Sequence, residues 1–302
     1  MQRRYVTVDV FTDRMFGGNP VAVVFDADGL LASQMQEVAV EFNYSETTFV
    51  LPASQPNHAA RVRIFTPSGE VPFAGHPNVG TAFALAALMG ERGEAIPDQF
   101  VFEEEAGLVP VRCIRENRSI IGAELCAPEP LSRRGQMSPQ DAAACLSLDV
   151  EDIRSDVHKP WVLSVGLPFV VVELASRDAL RRATPNRAAY DQFLPLDGAR
   201  SVYAYTRSQP DAGADIHARM FTPRMTEDPA TGSATGAAAA LLAELTNTAD
   251  HEMFFRFMQG VEMGRPSLLL ARVLKDSGTT SAVYVGGRCV SVMQGSFYLP
   301  TA

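Results

Sequence analysis

Two stretches carry the residues best placed for acid–base or anion chemistry. Arg63 to Met89 reads RIFTPSGEVPFAGHPNVGTAFALAALM and sets His76 directly after Gly75. Arg219 to Leu245 reads RMFTPRMTEDPATGSATGAAAALLAEL and sets Asp228 ahead of Gly232 and Ser233. Behind each glycine comes a run rich in Ala and Leu, strong helix formers, which predicts helices over Asn78 to Met89 and Ala234 to Leu245. A helix start offers unpaired N–H groups and a partial positive charge, so it suits an anion such as a carboxylate. Glycine there lets a ligand approach the backbone closely. The same pattern also serves as a plain strand-to-helix connection, with His76 and Ser233 as caps and Asp228-Pro229 as a turn.

These stretches are copies of one another. With Thr226 taken as a single insertion, Arg63, Phe65, Thr66, Pro67, Glu70, Pro72 and Gly75 meet identical residues at Arg219, Phe221, Thr222, Pro223, Glu227, Pro229 and Gly232. Each copy predicts a short strand, a Gly/Pro-rich turn and a helix, and their separation predicts two similar lobes. A weaker echo extends the duplication: SVGLPFVVVEL (Ser164 to Leu174) resembles GGNPVAVVF (Gly17 to Phe25), with Leu167 in the place of Asn19. Asn19 reads either as an amide for a ligand or as the residue that fixes its turn.

Taken in order, Arg4 to Val10 and Val21 to Phe25 read as strands around a glycine loop. Ser33 to Phe42 has a helical period, with Met35, Val38, Ala39 and Phe42 on one face. Ser33 stands as its N-cap and Gln36 in capping-box position. The helix stops at NYSE and TTFVL continues as a strand, so Glu46 sits at a strand entry, either near a cleft or simply in solvent. Phe100 to Glu105, Leu108 to Ile114 and Ile120 to Leu125 read as strands. CAPEPLSRRG (Cys126 to Gly135) reads as a linker, and Pro139 to Leu146 as a helix capped by Ser138. Ala199 to Ser208 adds a strand. Strands at Leu268 to Leu274, Ala282 to Val285 and Arg288 to Met293 follow Gln259-Gly260 and MGRPS. Arg265 in that motif faces an anion or only forms a turn.

At 302 residues the chain can hold one large domain or two of ordinary size, the repeat favours two, and its 46% apolar content suits a packed globular protein. A net charge of −9 argues against nucleic acid or an anionic membrane as partner. No apolar run has the length of a membrane span, and MQRRYVTVDVFTD does not read as a signal peptide. Cys113, Cys126, Cys145 and Cys289 form no CxxC pair, which predicts reduced thiols in a cytoplasmic protein. His58, His76, His158, His217 and His251 do not fall at metal-ligand spacing, so no structural zinc is expected.

NYSETTFV, FTPSGEVPFAGHPNVGTA, FTPRMTEDPATGSATGA and the QG…MGRPS tail resemble the phenazine-biosynthesis (PhzF-like) family across nearly the whole chain. The resemblance implies an α+β, diaminopimelate-epimerase-like fold: two pseudo-symmetric lobes, each a mostly antiparallel sheet wrapped around a central helix, with the active site between them. It places residues 1–127 in the first lobe, joined by a final strand over 287–302, and residues 128–286 in the second. The implied activity is isomerisation of a substrate such as trans-2,3-dihydro-3-hydroxyanthranilate, without metal or cofactor. Glu46 of the NxSET motif, His76 of AGH and Asp228 of DPATGS take the catalytic positions. Asn19, Ser45, Gly75, Thr231, Gly232 and Ser233 make up the implied substrate-binding set, and a homodimer is the implied assembly.

Racemases and epimerases of this fold place a cysteine before each helix glycine. Here those positions are Ala74 and Thr231, and neither removes a proton from carbon. One carboxylate that takes a proton from one carbon and returns it to another, on the same face, shifts a hydrogen along a conjugated ring instead of inverting a centre. Burial and nearby negative charge should raise the pKa of Glu46. The helix starts would hold the substrate carboxylate and steady developing charge. A racemase acting on another amino acid, and a member of the family that binds without turnover, are the alternative readings.

Overall fold

The computed structural model describes residues 2–117, 119–211, 213–246 and 252–299. His251 and the end of the expected last strand, residues 300–302, lie outside the described residues. The chain divides into two units, Met1–Leu125 with Gly286–Ala302, and Cys126–Val285.

Through the first unit run β1 (Gln2–Val10), β2 (Asn19–Val24), α1 (Ala32–Phe42), β3 (Glu46–Leu51), β4 (Ala60–Thr66), β5 (Gly69–Val71), α2 (Gly75–Glu91), β6 (Gln99–Glu104), β7 (Gly107–Glu116) and β8 (Ser119–Cys126). Next come β9 (Ser132–Gln136), α3 (Pro139–Leu146), β10 (Trp161–Ser164), β11 (Pro168–Glu173), α4 (Arg177–Arg182), α5 (Arg187–Phe193), β12 (Val202–Asp211), β13 (Ala214–Phe221), β14 (Glu227–Asp228), α6 (Gly232–Leu245), β15 (Glu252–Gln259) and β16 (Ser267–Asp276). The last strand, β17 (Thr279–Tyr298), starts in the second unit and ends in the first.

In the first unit the strands pair antiparallel except for β2–β3 and β4–β6. Because β17 lies against both β1 and β8, the sheet closes around α2. That helix is buried on every side along its first three turns, from His76 to Ala86 with short interruptions, which is why small residues dominate it. Gly80 shows the constraint: a Cβ there would stand 2.4 Å from Val21 Cγ1 on β2. On the opposite face of the sheet, α1 buries Met35, Val38 and Ala39 against Val24, Phe49 and Phe65, the face its period predicts.

The second unit repeats the scheme. Its sheet pairs β9–β10, β10–β11, β12–β13 and β15–β16 antiparallel, and β11–β12 and β13–β15 parallel. Helix α6 is buried without a break from Ala234 to Ala243 and packs on β10, β11, β15 and β16. A second core forms where Val170, Val172, Val202 and Ala204 meet Ala142, Leu146, Leu180 and Tyr190 of α3, α4 and α5. The Lys275 ammonium donates to the carbonyls of Ala243 (2.9 Å) and Thr246 (3.1 Å), neutralising the negative end of α6. Lys275→Met should therefore lower stability by about 2 kcal/mol in urea unfolding, because buried carbonyls lose a charged donor.

The identities shared by the two copies turn out to be scaffold. Arg63 grips Glu70 with two bonds of 2.6 Å, and Arg219 grips Glu227 at 2.9 and 2.7 Å. Each guanidinium lies over its own phenylalanine, 5.2 Å from the Phe65 ring centre and 4.7 Å from that of Phe221. The threonine of each FTP accepts the backbone N–H two residues on, from Ser68 or Arg224, and so sets the turn.

Several local expectations need correction. Helix α1 starts at Ala32, so its N-cap is Leu31, not Ser33. Gln34, three residues after Leu31, accepts the Leu31 N–H, while Gln36 donates to the Thr66 carbonyl. The linker reading of CAPEPLSRRG holds only from Ala127 to Leu131, since Cys126 ends β8. Ser132–Gln136 is a strand on β10, with Arg133 stacked 5.0 Å from the Trp161 ring centre and paired to Glu244. Helices α2 and α6 begin at their glycines, so Ala74 and Thr231 hold the N-cap positions and neither His76 nor Ser233 caps. The two expected strands at Ala282 to Val285 and Arg288 to Met293 are one, β17. Helices α4 and α5, capped by Ser176 and Asn186, and strand β15 were not anticipated.

Candidate functional site

Each unit gathers its own set of candidate residues at the start of its buried helix. In the first unit the parallel pairing of β2 with β3 sets Val21 opposite Glu46, which brings the ends of both strands together. Asn19 is 1% exposed, and its Oδ1 accepts the Ser45 hydroxyl at 3.1 Å. That bond ties the β2 entry to the NYSE turn, so the amide does fix local structure. Asn43 in the left-handed region ends α1 and lets the chain turn into β3.

The side chain of Glu46 is 20% exposed and its Oε2 stands 3.5 Å from His76 Nε2. Burial pushes the Glu46 carboxyl up to about 7, with the neighbouring Ser45 side chain opposing the shift. His76 is the second residue of α2, 7% exposed, placed there because Gly75 opens the helix. Further along the first turn, Asn78 Nδ2 donates to the Ala74 carbonyl at 3.0 Å. Glu104, at the end of β6, is pushed up to about 8 by burial, with the nearby Asn78 amide opposing the shift. Alternation along β6 puts Glu104 on the face shared by the buried Phe100 and Phe102.

In the second unit the turn after β14 carries Asp228, Pro229, Ala230 and Thr231 into α6. The Thr231 hydroxyl donates to Asp228 Oδ2 at 2.5 Å. Gln259, at the end of β15, holds the same turn through three hydrogen bonds. Gly232 and Ser233 are the first two residues of α6. Arg265 closes the Gly260 turn through its backbone N–H to the Gly260 carbonyl, 3.0 Å.

All four cysteines are free thiols. Burial pushes Cys145 up to about 11 and Cys289 up to about 12, and raises Cys113 as well. Thiols held protonated in this way make poor bases at neutral pH. Among the described residues no three His, Cys, Asp or Glu side chains gather as metal ligands would. Nor, among those residues, is any helix long and apolar enough to cross a membrane.

The sequence pattern described as phenazine biosynthesis-like protein matches residues 8–295. A protein of Mesorhizobium japonicum named an uncharacterized isomerase is 38% identical over 306 residues, covering 98% of this chain and 99% of its own. The trans-2,3-dihydro-3-hydroxyanthranilate isomerase of Pseudomonas aeruginosa is 37% identical over 298 residues, with 98% and 99% covered. Among solved structures, a Bacillus anthracis phenazine biosynthesis protein of the PhzF family superposes with a TM-score of 0.88 at 27% identity, covering 99% of this chain and 100% of its own. The α+β, diaminopimelate-epimerase-like fold expected from the sequence is the one observed. With its matched pattern, its fold and its isomerase relatives in agreement, this chain belongs to the phenazine biosynthesis-like, or PhzF, family of isomerases.

Proposed function

We propose that this chain is a metal- and cofactor-independent isomerase that shifts a proton along the ring of a small cyclic carboxylate of the trans-2,3-dihydro-3-hydroxyanthranilate type. The observation that carries the reading is Glu46, a buried carboxyl raised to about 7 beside His76. A carboxyl with that value is present in both protonation states near neutral pH, as a group that first takes and then returns a proton requires. Glu46 removes the proton from one ring carbon and delivers it to another on the same face. His76, 3.5 Å from Glu46, binds a polar substituent and passes protons. Asp228 serves amino or hydroxyl substituents of a substrate. The N-terminus of each buried helix, α2 and α6, suits a carboxylate and steadies negative charge. Asn19 and Ser45 fix the entry to β3, and Ser233 lies within reach of a ligand at the start of α6.

A two-base inversion is the less favoured chemistry, since Ala74 and Thr231 stand where thiols would be needed and the cysteines present are buried or lie elsewhere in the chain. The reading has the enzyme working as a cytoplasmic homodimer on a small-molecule substrate. Its test is incubation with trans-2,3-dihydro-3-hydroxyanthranilate in deuterated water, followed by NMR. Turnover with deuterium delivered to the ring supports it. Binding without turnover would keep the site and change the substrate, and absence of both would point to a distant substrate or to the non-catalytic reading.

A further inference from the structure

The two copies share their scaffold contacts but differ in one device. Gln259 is completely buried, and its Nε2 donates to the Asp228 carbonyl (2.8 Å) and to Thr231 Oγ1 (3.0 Å). Its Oε1 accepts the Thr231 N–H at 3.2 Å. The amide orientation is unambiguous, because a carbonyl only accepts and a backbone N–H only donates. With Thr231 Oγ1 already accepting from Gln259, its one hydrogen is directed to Asp228 Oδ2, 2.5 Å away. The donors therefore run in one direction, from Gln259 to Thr231 to Asp228.

Backbone packing holds the relay in register. Gly260 sits at φ +74°, and a Cβ there would meet the Pro229 carbonyl oxygen at 2.6 Å and the Arg265 carbonyl oxygen at 2.5 Å. The Gln259-Gly260 turn is thus pressed directly on the Pro229 backbone. In the first copy Ala74 replaces Thr231 and has no hydroxyl to relay anything. The Arg–Glu–Phe clamps occur in both copies and serve the fold, whereas this relay occurs only in the copy that carries Asp228.

We propose that Gln259 and Thr231 are positioning residues for Asp228: they commit Oδ2 as an acceptor and hold the carboxylate in one orientation. This rests on the catalytic role given to Asp228 above. Thr231→Val removes the hydroxyl yet spares both bonds from Gln259 to the backbone, so it cuts the relay with the turn intact. On trans-2,3-dihydro-3-hydroxyanthranilate, kcat should fall about ten- to hundredfold with KM changed less than about threefold, the loss of one hydrogen bond to a charged group. Thr231→Ser should recover the rate to within about threefold of wild type.

A second measurement does not depend on turnover. In 13C NMR the Asp228 carboxyl, assigned with Asp228→Asn, should titrate about one pH unit higher in Thr231→Val than in wild type, and Thr231→Ser should reverse the shift. A wild type that is inactive on this compound, with the NMR shift present, would sink the catalytic reading and leave the relay standing. An active wild type matched by Thr231→Val in both rate and titration overturns the relay, as does a Thr231→Ser no better than valine.

Discussion

Glu46→Gln should reduce turnover of trans-2,3-dihydro-3-hydroxyanthranilate about a thousandfold or more, with KM nearly unchanged. Glutamine matches the shape of glutamate and keeps an oxygen beside His76, but it neither takes nor returns a proton. General acid–base catalysis contributes about 10²–10⁴ in rate, and here one group is asked to act in both directions. Because the interaction is made in the transition state and not in the ground state, the loss falls on kcat. With Glu46 at about 7, the wild-type kcat/KM should fall as pH drops below neutrality, since a protonated carboxyl is no base. A Glu46→Gln variant that keeps wild-type turnover would remove Glu46 from the mechanism and move the base to another group.

The same substitution should make the protein more stable at neutral pH. In the folded state burial raises Glu46 from 4.5 to about 7 and Glu104 from 4.5 to about 8. Below pH 4.5 both carboxyls are protonated whether folded or not, and neither costs stability. Above it the unfolded chain releases these protons while the folded chain retains them, so stability falls as pH rises. The decline continues to about 7 for Glu46 and about 8 for Glu104, and is complete beyond those values. The cost by the end of each window is about 3 kcal/mol for Glu46 and about 5 kcal/mol for Glu104. Urea unfolding of wild type, Glu46→Gln and Glu104→Gln between pH 4 and 9 reads this directly. Each variant should flatten its own part of the slope and exceed wild type at pH 8. A wild-type curve that is level from pH 5 to 8 would show that neither carboxyl is held protonated by the fold.

For Glu46 the two expectations together separate a catalytic carboxyl from a structural one. An ion-paired structural glutamate loses stability when neutralised, whereas Glu46→Gln should gain it and lose turnover. The cost of keeping an ionisable group in an apolar setting is then the expense of having a base at neutral pH.

What the sequence determined by itself rests on local rules. The repeat, the glycine before each small-residue helix, the Ser138 cap and the buried face of α1 all follow from backbone preference and periodicity within a few residues. The family resemblance likewise depends on short motifs that name Glu46, His76 and Asp228. Short elements escaped for the same reason: α4 and α5 span six and seven residues, too few for a period to stand out. Tertiary structure decided everything that couples distant positions. His76 comes within 3.5 Å of Glu46 across a separation of 30 residues, because α2 threads the sheet that β3 helps to build. Gln259 reaches Thr231 across a separation of 28 residues, and Gln259-Gly260 alone carried no sign of that contact. Local surroundings decided the rest: hydrogen bonds from four groups of Ser54, Gln55 and His58 lower Glu103 to about 2, while burial raises its neighbour Glu104 to about 8. Two identical side chains, adjacent in the chain, differ because strand alternation turns one toward donors at the surface and the other into the interior.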